Sequence, residues 1–291
     1  MNQILFALLF IFPFALLTCS SQQKKELSTG FPTASANVNS LDPTQGIPLP
    51  VGVKCLLKAY PEFLESGDAN SIYWKDGSKM VYDDGKIKTD FETMLNEASL
   101  KDQMSICYPV GEQYPRPVPV NYDPGRIRYE PFFFKMYGNT PEEVRHKLVP
   151  VIWLPKHINK EILVTTVNGV DQKIRAISDE LDTLPPEYMQ YLENPGGTFN
   201  WRVIAGTKRL STHSFGMTID INVKSSDYWR NNKPDKSGLY AYKNRIPMKI
   251  VEVFEKHGFI WGGKWYHYDT MHFEYRPELL VDECLCSKAK L

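Results

Sequence analysis

From Met217 to Val223 apolar and polar side chains alternate, which predicts a strand with Met217, Ile219, Ile221 and Val223 facing inward. Thr218, Asp220 and Asn222 then share the other face. A second short strand is expected from His272 to Tyr275. Between them, Pro247 opens a helix that turns Ile250, Val251 and Phe254 to the core and closes at His257-Gly258. The segment Phe259 to Trp265 reads as two short strands around Gly262-Gly263.

Upstream, Thr140-Pro141 is a helix start, with Thr as N-cap and Pro at the first helical position. Residues 149–154 and 161–167 read as strands, and Asn168-Gly169 as a hairpin turn into a third strand over 170–177. A helical stretch from Ser178 is interrupted at Pro185-Pro186 and ends near Asn194, and residues 200–205 read as a short strand. In the first half of the chain, Thr89 and Glu92 suggest a capping box for a helix over about 90–100, with Phe91, Met94, Leu95 and Ala98 on one face. Five prolines between Pro109 and Pro124 then require extended or looped backbone. No internal repeat is apparent. The expected class is α+β, a small central antiparallel sheet with flanking helices, preceded by an appended segment.

Composition narrows the partners. Among 291 residues Lys+Arg and Asp+Glu number 34 each, so the chain lacks the cationic excess of nucleic-acid binders, and no nucleic-acid partner is expected. Residues 1–19 form an apolar run ending in Leu16-Leu17-Thr18-Cys19, which resembles a bacterial lipobox with Cys19 as the lipidated residue. Thr18 stands where a smaller residue is usual and no Lys or Arg precedes the run, which keeps an ordinary signal peptide or an uncleaved anchor as alternatives. The expectation is an exported protein facing the periplasm or cell wall, attached to the membrane through a lipid anchor only. Residues 20–48, rich in Ser, Thr, Asn and Pro, read as a tether. Residues 49–130 read as an appended segment without a chemical motif, 131–281 as the principal folded domain and 282–291 as a cysteine-bearing tail. With Cys19 set aside, Cys55, Cys107, Cys284 and Cys286 are an even set in a disulfide-permissive compartment. Cys284 and Cys286 lie too close to pair with each other and are expected to bridge to Cys55 and Cys107, in an order the sequence leaves open. A cysteine-based metal site is the rival reading, and Cys55 and Cys107 lack the paired spacing it needs.

The chemistry concentrates in Ser211-Thr-His213-Ser-Phe-Gly216-Met-Thr-Ile-Asp220 and in Asp269-Thr-Met-His272. His213 lies seven residues before Asp220, an interval that sets the two on opposite faces of an unbroken strand, and a bend at Gly216 allows both to reach one point. With His272 as third ligand, two His and one Asp leave a position open on a single Zn2+, the pattern of a catalytic site. Asp269 then stands beside the metal as a general base for an attacking water. Arg202, with Arg209 behind it, is the candidate partner for the anionic intermediate.

These motifs resemble the zinc peptidase family of D-alanyl-D-alanine carboxypeptidases, vancomycin-resistance D,D-dipeptidases and phage L-alanyl-D-glutamate endolysins. The resemblance spans roughly residues 132–280 and is strongest over 197–277, including Phe-Asn-Trp-Arg202, Ile-Trp-Gly-Gly-Lys-Trp265 and His-Phe-Glu-Tyr-Arg-Pro277. It implies zinc on His213, Asp220 and His272, Asp269 as the base and Arg202 as the assisting arginine. It also implies a fold shared with the hedgehog signalling domain, and peptidoglycan stem peptides as substrates. Met217-Thr218 departs from the usual family residues without touching a ligand.

Other readings stand beside these. His267 is a rival third ligand or a rim residue; His257 suits a helix C-terminus, and His146 and His157 the surface. Glu274 either orients a ligand, binds substrate or lies on the surface, and Ser211 either caps a turn or bonds to the site. No base is paired with Ser211 as it would be with a nucleophile. Tyr228, Trp229 and Tyr266 line the cleft or join the core. The alternative to a peptidase is a non-catalytic zinc module of the same fold that binds cell wall or a protein partner. Asp269 favours the enzyme, while carboxypeptidase and endopeptidase remain open.

Overall fold

The computed structural model describes residues 48–286; the segment 1–19 with Cys19, and the tether up to residue 47, lie outside the described residues. The helices and strands in chain order are α1 (Val51–Ala59), β1 (Leu64–Gly67), β2 (Ser71–Trp74), β3 (Lys79–Val81), α2 (Phe91–Asn96) and α3 (Leu100–Gln103). There follow α4 (Glu130–Tyr137), α5 (Pro141–Arg145), β4 (Leu148–Trp153), β5 (Lys160–Thr165), α6 (Val170–Leu181) and α7 (Met189–Leu192). The last are β6 (Pro195–Gly197), β7 (Thr218–Asn222), α8 (Met248–Lys256), β8 (Phe259–Trp261) and β9 (His272–Tyr275). The class is α+β with small antiparallel sheets, as expected.

The sheet that carries the chemistry has the order β6-β7-β9-β8, all antiparallel. Its register sets Asp220 directly opposite His272 on β9 and Gly197 on β6. Met217, Ile219 and Ile221 are fully buried, as the alternation requires, but Thr218 and Asn222 are buried as well. Val223 is 52% exposed and departs from the inward position expected for it. The strand stops at Asn222, whose side chain accepts from the Lys224 amide and starts a turn. On the inner side Phe273 stacks on Phe254 of α8, centroids 3.9 Å apart, so the ligand strand is anchored by its apolar neighbours.

Several elements differ from the pattern reading. Residues 170–177 are helix and not strand: Val170, Ile174, Ile177 and Leu181 recur at helical spacing and are all buried in α6. Asn168 and Gly169 do turn through left-handed backbone, but the turn feeds this helix. The β-branched content suggested a strand, and the longer period prevails. Over 90–100 the chain makes two short helices. Asp90, not Thr89, caps α2 by accepting from the Thr93 amide, and Ser99 with Asp102 forms a capping box that restarts the chain as α3. Residues 200–205 hold only the isolated bridge from Val203 to Leu210. After β8 the chain enters a 3-10 turn over Gly262–Lys264 in place of a second strand, since the buried Lys264 Nζ is drawn to the Pro109 and Gly111 carbonyls and to Glu255.

The hydrophobic core runs without a break from Val53, Ile72 and Trp74 through Phe132, Phe133 and Phe215 to Phe259 and Phe273. The N-terminal elements therefore share one interior with the sheet. Residues 108–128 are laced onto β8, β9 and the loop joining them by polar bonds: Trp265 Nε1 to Pro124 O (2.7 Å), Arg276 Nη1 to Gly125 O (2.6 Å) and the His267 amide to Asp123 Oδ1 (2.9 Å). Disulfides join Cys55 to Cys284 and Cys107 to Cys286, which gives the order the sequence left open.

Candidate active site

His213 sits on a single 3-10 turn, Thr212–Phe215, that ends at Gly216 in left-handed backbone (φ 67°). That bend brings His213 to the face of Asp220. A side chain at Gly216 would meet Leu148 Cδ2 at 2.5 Å, so both the backbone and the space demand glycine here. His272 opens β9, and its register beside Asp220 is set by the ladder. One ligand atom from each of His213, Asp220 and His272 lies within 4.8 Å of the others.

Each imidazole has one nitrogen engaged behind the site. His213 Nδ1 lies 3.1 Å from Thr198 O, and a carbonyl can only accept, so Nδ1 donates there and Nε2 is the nitrogen turned to the site. That Nε2 is buried, has no hydrogen bond among the described residues and stands 3.2 Å from Asp220 Oδ2. His272 turns Nε2 to Glu274 Oε2 at 3.2 Å and Nδ1 to Asp220 Oδ1 at 3.1 Å. Glu274 is wholly buried and held by Arg276 Nη1 at 3.0 Å, so it stands behind the imidazole, away from solvent. Arg276 is bound in turn by Glu278, which also accepts from Tyr60 and Gln103.

The electrostatics favour a cation at the centre. Burial alone would lower the His272 pKa, but hydrogen bonds to Asp220 and Glu274 and their charges push it up to about 10. Asp220 is depressed: burial opposes ionisation, but the charge and hydrogen bonding of His213 and His272 outweigh it. Asp269 is pushed up to about 6, first by burial and then by the charge of Asp220, and its buried Oδ1 has no hydrogen-bond partner among the described residues. Asp220 and two imidazoles thus converge, Asp269 lines the same cleft as His272, and His213 Nε2 and Asp269 Oδ1 are unsatisfied among the described residues. A divalent cation fits this donor set of two N and one O ligands.

Above the triad lies a cleft of about 140 Å³ lined by Asp269, His272, Ser211, Arg202, Tyr228 and Trp229, among others. Arg202 is exposed on its rim and its amide donates to Ser214 Oγ. Ser211 is buried in the wall, and its amide donates to Arg202 O. His267 is not in the metal-ligating group; its Nδ1 pairs with Asp123 Oδ2 at 2.6 Å and its ring packs between Phe91 and Trp229 on the cleft wall. Tyr266 packs edge-on against His267 and lines a neighbouring recess. Arg209 lies deeper, half-buried. His257 ends α8 near Glu180, and His146 and His157 are exposed.

Sequence reasoning missed Thr198, whose contribution is a backbone carbonyl and carries no residue signal. It also missed Arg126 and Arg128, which enter the cleft from the segment before α4, and Arg230. Nothing in their local sequence marks them; only the docking of residues 108–128 against Trp265 and His267 brings the first two here.

No curated protein and no solved structure matches the chain. Residues 205–275 match a family model described as D-alanyl-D-alanine carboxypeptidase. That stretch holds His213, Asp220, Asp269 and His272, so the part of the chain that carries the site is similar to the D-alanyl-D-alanine carboxypeptidase family of peptidases.

Proposed function

We propose that this protein is a zinc-dependent peptidase that hydrolyses peptide bonds in peptidoglycan stem peptides. The observation that carries the reading is the pair of unsatisfied buried atoms, His213 Nε2 and Asp269 Oδ1, beside Asp220 and His272. His213 through Nε2, Asp220 through its carboxylate and His272 through Nδ1 would hold one Zn2+. The opposite nitrogens are fixed by Thr198 O and Glu274, as ligand imidazoles usually are. Zinc bound there supplies Lewis acidity, polarising the scissile carbonyl and acidifying water.

The chain's own residues do the rest. Asp269 Oδ1 accepts the proton of the attacking water and passes it to the departing amine, a task suited to a carboxylate whose affinity for protons is raised. Arg202, on the rim of the same cleft, donates to the carbonyl oxygen as negative charge develops there. The half-buried Asp269 also favours catalysis over a non-catalytic zinc module, because a binding site gains nothing from an unpaired carboxylate at its centre. Two disulfides are consistent with export to an oxidising, wall-facing compartment, with Cys19 as the proposed lipid attachment.

The test is digestion of purified muropeptides by the wild type and by Asp269→Ala, with and without chelator. The expected result is a zinc-dependent product from the wild type alone, and no such product would sink the reading. Mass spectrometry of the products distinguishes loss of a terminal D-alanine from a cut between L-alanine and D-glutamate.

A further inference from the structure

The cleft over Asp269 and His272 is not isolated. Through Arg126 it adjoins a recess of about 570 Å³, and through Leu95 and Arg209 that recess adjoins another of about 780 Å³ ending at Arg128 and Glu130. The three form a groove that runs from the metal-ligating residues between α2 and the turn at 205–209.

This groove is rich in arginine and short of partners for it. Arg126, Arg128, Arg202, Arg209 and Arg230 line it, and among the described residues only Arg126 has a carboxylate within 4.0 Å, Asp123 at 2.7 Å. Arg128 gives one bond to Leu210 O at 3.1 Å. Arg209 reaches only Arg126 O, at a long 3.5 Å, and its buried Nε has no partner. Besides Asp269, three carboxylates share the lining: Glu130 accepts from the Leu210 amide at 2.6 Å, Asp90 accepts from the Thr93 amide at 2.8 Å, and Glu92 is exposed. Burial, then the charges of Arg128 and Arg126, push Arg209 down to about 10. A cluster that repels itself and leaves a guanidinium nitrogen unsatisfied is arranged for an anion that arrives from outside.

We propose that Arg209, with Arg126 and Arg128, binds a substrate carboxylate that lies outside the scissile bond, so that the groove selects acidic peptides. The inference rests on the peptidase reading and names its substrate class further. In a stem peptide that carboxylate is the free α-carboxylate of the γ-linked D-glutamate. Arg126 and Arg128 lie outside the family-matched stretch 205–275, so the segment before α4 acts here as the specificity element.

The experiment measures binding of two stem pentapeptides to the zinc-loaded protein by calorimetry. One has the D-glutamate α-carboxylate free and the other has it as carboxamide; a third peptide is amidated at its C-terminus only. Amidation at D-glutamate should weaken wild-type binding by roughly 10–100-fold, the range for a charged hydrogen-bond pair. Arg209→Ala should lose about the same factor for the free acid and nothing for the carboxamide, and Arg209→Lys should recover part of it. Arg126→Gln, checked like the others for an unchanged melting temperature, gives the same pattern. Equal wild-type affinity for the two peptides overturns the proposal, and so does a loss seen only with the C-terminal amide. A wild type that discriminates between the peptides yet cleaves neither refutes the peptidase reading and leaves the anion site standing.

Discussion

Glu274→Gln isolates the support behind the metal-ligating residues. The substitution keeps the size of the side chain and leaves an amide oxygen to accept from His272 Nε2, but it removes the charge. A charge-assisted bond is roughly twice as strong as a neutral one, so His272 becomes a poorer donor of its Nδ1 lone pair. Changes at such supporting residues weaken metal affinity by roughly 10–100-fold. That corresponds to about 1.4–2.7 kcal/mol less stabilisation at a fixed, saturating zinc concentration. For a chain of this size 1 kcal/mol moves the melting temperature by roughly 2–4 °C, so the gap between zinc-loaded and zinc-free melting should shrink by about 3–11 °C.

The zinc-free protein reports a separate effect. Arg276, fully buried, loses one of its two carboxylates and keeps Glu278 at 2.7 Å. Removing a partner from a buried pair costs about 3–5 kcal/mol when nothing replaces it, and here the amide oxygen and Glu278 both remain, so the zinc-free loss should fall below that range. Chelator competition measures the zinc affinity and differential scanning fluorimetry both melting temperatures. If zinc affinity changes by less than twofold while the zinc-free protein is destabilised, Glu274 serves only Arg276 and the argument for its role behind His272 is wrong.

Four further outcomes are expected. Asp269→Asn should reduce kcat by roughly 10²–10⁴-fold, the usual worth of a general base, with zinc affinity measured by chelator competition changed only a few-fold. Asp269 works deprotonated, and burial with Asp220 raises it to about 6 in the metal-free chain. Bound zinc adds positive charge that draws it down, so kcat/KM should fall as pH drops through a limb at or below about 6, and a limb well above that contradicts the assignment. Gly216→Ala should cost about 1–3 kcal/mol in urea unfolding from its left-handed backbone and its clash with Leu148, and should weaken zinc binding because His213 moves with the turn. Replacing Cys284 and Cys286 by Ser opens loops spanning 229 and 179 residues, and each lost bridge should cost about 2–4 kcal/mol by thermal melting in non-reducing buffer.

The sequence made some elements legible and not others, for physical reasons. Thr140-Pro141 and Pro247 fix backbone locally, and the helices after them begin where expected. Residues 170–177 carry β-branched residues and a helical period at once, and only packing against β4, β5 and α8 decides between them. The strands β1, β2 and β3 are three or four residues long and too short for any period to emerge.

For the site, the motif around His213 and Asp220 supplied the ligand atoms because a bend and a strand are local facts. What lies around those atoms is long-range. Thr198 O reaches His213 from 15 residues away, and Gly125 O reaches Arg276 across 151. Arg126 and Arg128 face the cleft only because Trp265, His267 and Arg276 bind the backbone or side chains of residues 123–125. The same disulfide that ties Cys107 to Cys286 closes the start of that segment against the tail. The family-matched stretch of 71 residues, 205–275, would therefore hold the candidate metal ligands yet lack three of the five arginines around the groove, Arg126, Arg128 and Arg202. Residues 108–128, which carry no recognisable motif, contribute a wall of the cleft and two of its arginines, so their sequence should matter to substrate choice more than to metal binding.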